Sequence, residues 1–280
     1  MTANLSNQLD LDANPKIGSL LGAIAPHSLI GIRCVLHQKN LVWNLPPAEL
    51  NLSSNAVHVW RTSLEQPALQ VQQLAQTLSE DEQLRAKRFY FERDRKHFIV
   101  GRGMLRTILG HYANIEPNQL QFSYGYRGKP ALVSTDIDSM LQFNLSHSNG
   151  LALYAVTRDR QIGIDLEHIR PISDIEQLTK RFFSPREYSV ICSLPKSEQQ
   201  VTFFEIWTCK EAYLKATGEG LAQLQQVEVS LTDGEICQLN IHTDSQAATR
   251  WSLQTLAPAT DYVAALAVEG HDWDLSCWQG

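Results

Sequence analysis

Cysteine is scarce and unpaired in this sequence: five residues in 280 (Cys34, Cys192, Cys209, Cys237 and Cys277), with no C-x-x-C spacing. An odd, scattered set argues against a disulfide framework or a zinc ribbon and for a reducing cytoplasm. Long apolar runs are also missing. Residues 17–36 fall short of the ~20 clean apolar positions of a membrane span, because Pro26, His27 and Arg33 interrupt them. Asp10 and Asp12 precede this stretch where a secretory signal would carry basic residues. Positive charge is in deficit, with 24 Lys and Arg against 30 Asp and Glu and a net charge of −6. That balance suits neither a nucleic-acid coat nor a polybasic arm. Hydrophobic content of 43% with 19% charged residues still describes a folding chain rather than a disordered one. The length suits one large domain or two of roughly 100–150 residues.

The average charge conceals its placement. Arg85, Lys87, Arg88, Arg93, Arg95, Lys96, Arg102 and Arg106 hold a third of the positive charge, opposed within that stretch only by Glu92 and Asp94. This is a candidate anion site.

Residues 1–54 read as a loosely structured N-terminal extension, with Leu41, Val42 and Trp43 packing on the body. Beyond it, features recur at an offset of about 105. Ser79-x-x-Glu82 and Ser184-Pro185-x-Glu187 are capping boxes. Helical stretches follow at 95–112 and 200–217, and strand-like runs precede the boxes at 58–60 and 163–165. The pattern predicts an α+β fold of two similar α/β halves, 55–157 and 158–280. Residues 151–156 and 162–167 read as a hairpin, 143–150 as the turn before it, and 227–278 as strands completing the second sheet.

In the run from Ile162 to Glu167, alternation puts Gly163, Asp165 and Glu167 on one face. Two neighbouring carboxylates suit a hard divalent cation, although in isolation a D-x-E is more often a solvated strand face. Trp207, Glu211 and Lys215 form an i, i+4, i+8 stripe with Lys210 adjacent. Glu211 would supply a third carboxylate, or a base toward a hydroxyl. Ser146 and His147 suit hydrogen bonds to phosphate oxygens or a capped turn, and Arg127 and Lys129 expose two cations in a turn.

Together the motifs resemble a known family. Gly128-Lys129-Pro130, Phe143-Asn144-Leu145-Ser146-His147-Ser148, Gly163-Ile164-Asp165-Leu166-Glu167, Arg181-Phe182-Phe183-Ser184-x-x-Glu187 and Trp207-Thr208-x-Lys210-Glu211-Ala212-x-x-Lys215 occur in that order. Order and spacing are similar to the 4′-phosphopantetheinyl transferases, of the single-chain type that activates peptide and polyketide synthases. The resemblance implies two similar halves with the active site between them. It also implies Mg²⁺-dependent transfer of phosphopantetheine from coenzyme A to a serine of an apo carrier protein, releasing adenosine 3′,5′-bisphosphate. Asp165, Glu167 and Glu211 would hold the metal, Glu211 would serve as base, and Lys215 would steady the pyrophosphate. Ser146 and His147 would contact the coenzyme A phosphates, Lys129 would lie near the nucleotide, and Arg85 would meet the 3′-phosphate. Glu82 departs from the family pattern, standing where relatives often carry a basic residue. The expected enzyme is cytoplasmic and monomeric, with neither nucleic-acid nor membrane partners. A carrier-binding module and a different Mg²⁺-dependent nucleotide phosphotransferase are the competing readings.

Overall fold

The computed structural model describes residues 32–35, 41–133, 141–232, 235–242, 244 and 246–280. After a short strand β1 (Ile32–Val35), the first half runs β2 (Ala56–Ser63), α1 (Ala68–Ala75), α2 (Glu80–Ala86), α3 (Glu92–Ala113), β3 (Phe122–Tyr124), β4 (Pro130–Leu132), β5 (Leu141–Ser148) and β6 (Leu151–Arg158). The second half runs β7 (Ile162–His168), α4 (Ile175–Phe182), α5 (Pro185–Ser193), α6 (Lys196–Thr217), β8 (Val227–Thr232), β9 (Glu235–Ile241), α7 (Ala247–Arg250), β10 (Trp251–Leu256) and β11 (Tyr262–Glu269). A last strand, β12 (Asp274–Gln279), closes the chain order.

The fold is α+β with two similar halves, each a strand, a run of helices, then further strands. Both long helices have 22 residues, and their first residues are 104 positions apart (92 against 196). Each half buries a helix against one face of its sheet. Val100, Leu105 and Ile108 of α3 pack with Trp60, Phe143 and Tyr154. Phe203, Trp207 and Ala212 of α6 pack with Leu253, Ala265 and Ala267. The opposite faces share a third apolar layer: Val57, Val59 and Leu153 from one sheet meet Ile164, Leu166 and Leu266 from the other. Period-two alternation explains this double burial, since odd and even positions of β2, β6 and β7 serve different cores.

The strand order shows where the sequence reading departs from the fold. One sheet runs β7-β11-β10-β1-β9-β8 and the other β12-β2-β6-β5, with β3-β4 a separate pair. The extension at 1–54 therefore contributes structure. β1 lies between β10, to which it is parallel, and β9, to which it is antiparallel. Residues 1–31 lie outside the described part. Conversely, β12 leaves the second half to pair in parallel with β2. Each terminal strand covers main-chain groups that an open strand edge would leave unpaired. The expected hairpin of 151–156 with 162–167 is also corrected, because β6 pairs with β2 and β5 whereas β7 pairs with β11. The true hairpin is β5–β6. Asn149 and Gly150 at its tip both have positive φ, 43° and 86°, the geometry of a two-residue Asn-Gly turn.

No described helix is long and apolar enough to cross a membrane. Among the described residues, Cys192, Cys209 and Cys277 form no disulfide.

A buried polar cluster under α3 yields one stability prediction. Trp60 Nε1–H donates to Tyr112 Oη at 3.0 Å, and that hydroxyl lies 2.7 Å from His58 Nδ1. Burial pulls the His58 pKa down from 6.5 to about 4. Between those values the unfolded chain binds the proton that the folded chain refuses. Stability is thus full above pH 6.5 and is lost as pH falls toward 4, by up to about 3 kcal/mol. Denaturant unfolding at about pH 7 and about pH 5 should show this slope in the parent chain and a flatter one in His58→Gln. Equal slopes would remove His58 from the account.

Candidate active site

The site begins with a missing side chain. A Cβ at Gly163 would run into the main chain of Ala212 and Ala216, with Ala216 Cα only 2.9 Å away. Glycine lets α6 lie directly on β7. On the same face of β7, two and four residues further on, Asp165 and Glu167 meet Glu211 and Lys215 of that helix. Lys215 Nζ donates to Asp165 Oδ1 at 2.6 Å and to Ser146 Oγ at 3.1 Å.

The first half reaches the same place through β5. Asn144, Ser146 and Ser148 alternate along it and accept from the free-edge N–H groups of β7. Ile164 N donates to Asn144 Oδ1 (2.9 Å), Leu166 N to Ser146 Oγ (3.2 Å) and His168 N to Ser148 Oγ (3.1 Å). Both serines also donate onward, Ser146 to Asp165 Oδ1 (3.0 Å) and Ser148 to Glu167 Oε2 (3.1 Å). Each hydroxyl thus fixes one carboxylate while joining two sheet edges. Arg170 completes the setting of Glu167 with a 3.3 Å contact to Oε2.

Burial and a neighbouring charge raise the proton affinity of two of these carboxylates. Burial, then the Asp165 charge, pushes Glu167 up to about 7 and Glu211 up to about 8. Burial works against the Lys215 ammonium, but Asp165 and then Glu211 outweigh it and hold its pKa above the ordinary lysine value. Asp165 Oδ2 and Glu211 Oε1 are buried without a hydrogen-bond partner, a costly state for carboxylate oxygens. Oxygen-only donors with open lone pairs fit a hard divalent cation. As placed, with Lys215 on Asp165, no three acidic, histidine or cysteine side chains among the described residues stand at metal-ligand spacing.

The other expected residues fall in three places. Ser146 is inside the constellation. His147, on the opposite face of β5, has an exposed ring whose pKa is lowered by local desolvation and by the Lys215 and His97 charges. Lys129 is turned inward, donating to the carbonyls of Ala216 (2.8 Å) and Ile162 (3.2 Å), and burial draws its pKa down to about 8. Arg85 stands apart on α2, its guanidinium 5.3 Å from the Phe98 ring centroid, and lines a cleft with Asp81, Leu84, Arg88 and Phe89.

The basic stretch is less free than its composition suggests. Glu82 accepts from the Ser79 amide, from Arg102 at 2.5 Å and from Arg106 at 2.6 Å, so two of the arginines are tied to one internal carboxylate. Arg95 and Lys96 face Glu92. Among the described residues, Arg85, Lys87 and Arg88 carry no such ion pair. The second half repeats the device: Glu187 accepts from the Ser184 amide and from Lys210, both at 2.7 Å. Lys210, which reads in sequence as adjacent to the functional stripe, is fully buried and belongs to this pair.

Ser148, Asn144 and Arg170 join the candidate site without standing out in the sequence. The period-two run Asn144-x-Ser146-x-Ser148 was the available signal for the first two, hidden because the segment reads as a turn.

Two family models meet this geometry. Residues 58–158 match the N-terminal model of the 4′-phosphopantetheinyl transferases, and residues 161–267 match the 4′-phosphopantetheinyl transferase superfamily. The chain is 52% identical over 236 residues to the 4′-phosphopantetheinyl transferase HetI of Nostoc sp. PCC 7120, covering 84% of this chain and 97% of that protein. This chain belongs to the 4′-phosphopantetheinyl transferase family and is a transferase. It is also 32% identical over 161 residues to the 4′-phosphopantetheinyl transferase Sfp of Bacillus subtilis, covering 57% and 69% of the two chains. A solved holo-(acyl-carrier-protein) synthase from Bacillus anthracis in complex with coenzyme A aligns at 22% identity with a TM-score of 0.33, over 40% of this chain and 96% of that one.

Proposed function

We propose that this chain transfers 4′-phosphopantetheine from coenzyme A to a serine hydroxyl of an apo acyl, peptidyl or polyketide carrier protein. Adenosine 3′,5′-bisphosphate is released, and Mg²⁺ is required. The observation that carries the reading is the pair of unpartnered buried oxygens on Asp165 and Glu211, beside the Lys215 ammonium. Asp165, Glu167 and Glu211 would hold Mg²⁺. Bound there, the ion would offset the negative charge of the pyrophosphate and of the carboxylates.

The chain's own residues do the rest. Glu211 takes the proton of the carrier serine as its oxygen bonds to the phosphorus next to the pantetheine arm. The anhydride P–O bond breaks, and its electron pair leaves with the adenosine 3′,5′-bisphosphate. Lys215 meets the charge developing on that leaving phosphate, a role suited to a compact ammonium. Phosphoryl transfer depends mainly on such positioning and charge neutralisation. Ser146 and Ser148 keep the carboxylates from rotating away. Ser146 lies beside the pyrophosphate, holding Asp165 and Lys215, while His147 would meet a phosphate on the other side of β5, and Arg85 serves the 3′-phosphate with Arg88 and Lys87 nearby. The reaction is placed in the cytoplasm, with the chain acting as a monomer.

Intact-mass spectrometry of apo carriers incubated with coenzyme A and Mg²⁺ tests the reading: each modified carrier should gain one phosphopantetheine arm. Asp165→Ala should lower the labelling rate by about 10³-fold or more, the scale of losing a transition-state charge partner. Chelation should stop the parent enzyme and added Mg²⁺ restore it. Carrier binding without mass gain would replace the enzyme by a binding module; undiminished labelling by Asp165→Ala would remove that residue from the site.

A further inference from the structure

We infer that Lys129 is a positioning residue, tying the catalytic end of α6 to the start of β7, rather than a contact for the nucleotide. Its backbone is fixed by its own turn. Gly125 N donates to the Lys129 carbonyl at 2.9 Å, and Gly128 N donates to the Gly125 carbonyl at 2.8 Å. Gly128 takes the positive φ (78°) that the turn requires.

From this anchored turn in the first half, the side chain crosses to the second. Ala216, whose carbonyl it caps, follows Lys215; Ile162, whose carbonyl it also holds, precedes Gly163. One ammonium therefore spans the two backbones that meet at Gly163, one residue from the lysine paired with Asp165. The last carbonyls of a helix have no intrahelical partner, and a cation there also suits the helix dipole. α6 ends at once afterwards, at Gly218 with φ 76°. Arg127, from the same turn, lies against Gly220 just beyond. The turn at 125–129 thus braces the exit of the helix with two cations. With two of its three N–H donors on carbonyls, Lys129 is committed to this link.

The kinetic arm of the test rests on the transferase reading; the exchange arm does not. Lys129→Met in the full chain should lower kcat for carrier labelling by about ten- to a hundred-fold, the effect of a displacement near 1 Å. The KM for coenzyme A should stay within about two-fold. Amide hydrogen exchange at 215–218 should quicken while α3 is unchanged, and Lys129→Arg should recover most of kcat. A raised KM with kcat intact, or unaltered exchange at the end of α6, would overturn the inference. Should Lys129→Met not fold, Lys129→Gln, which keeps a donor, is read the same way. If the parent chain labels no carrier, the transferase reading fails and hydrogen exchange alone decides the role of Lys129.

Discussion

Lys210→Met should lower the free energy of unfolding by about 3–5 kcal/mol, although the new side chain is apolar and similar in length. The loss comes from what the lysine leaves behind. Its ammonium lies 2.7 Å from Glu187, and both side chains are 0% exposed. Glu187 is fully engaged: Oε2 also accepts from Ser184 N, and Oε1 accepts from Val229 N at 2.7 Å. Removing the cation strands a fully buried carboxylate, where it has no water to turn to. The Phe183 ring also loses the ammonium 4.8 Å from its centroid. Urea unfolding checks the figure. The double variant Glu187→Gln/Lys210→Met should recover a large part of the loss, because the stranded charge is gone. A single-variant cost below about 1 kcal/mol would mean the pair contributes like a surface bridge.

Gly163→Ala should damage stability and catalysis together. The added methyl meets main-chain atoms of Ala212 and Ala216, which cannot rotate aside. α6 must move off β7, at a cost of about 1–3 kcal/mol or somewhat more for overpacking. The same movement carries Glu211 and Lys215 away from Asp165 and Glu167, so labelling should fall by about 10²-fold for a shift near 1 Å. Thermal unfolding and the labelling rate, measured on one preparation, separate the two effects. An alanine variant with parental activity would show that the helix is not seated as described.

These residues explain why parts of the molecule are readable in sequence. Asp165 and Glu167 follow from a period of two, and Glu211 with Lys215 from a period near four. Both capping boxes are four-residue patterns whose bonds form locally. The partners of those boxes are not local. Glu82 finds Arg102 and Arg106 at separations of 20 and 24, and Glu187 finds Lys210 at 23. Nothing in a run of arginines tells which will face solvent and which will neutralise a buried acid. Ser148 escaped for a related reason: its role exists only once β5 lies beside the free edge of β7. The misplaced hairpin shares that cause, since adjacency in sequence makes β6 and β7 look paired, whereas β6 lies between β5 and the distant β2, and β7 pairs with the distant β11.

The exchange of terminal strands sets a timetable for folding. Asn55 and Asp274 share a side-chain hydrogen bond across 219 positions, beside the β2–β12 pairing. At about 5–20 residues per second, a ribosome needs roughly 10–40 s to make the intervening chain. Throughout that interval β2, with its apolar Val57 and Val59, waits with one edge open. The first half cannot finish early, because its sheet is closed by β12, which is made after the whole second half. The two halves that frame the candidate site are thus obliged to mature together.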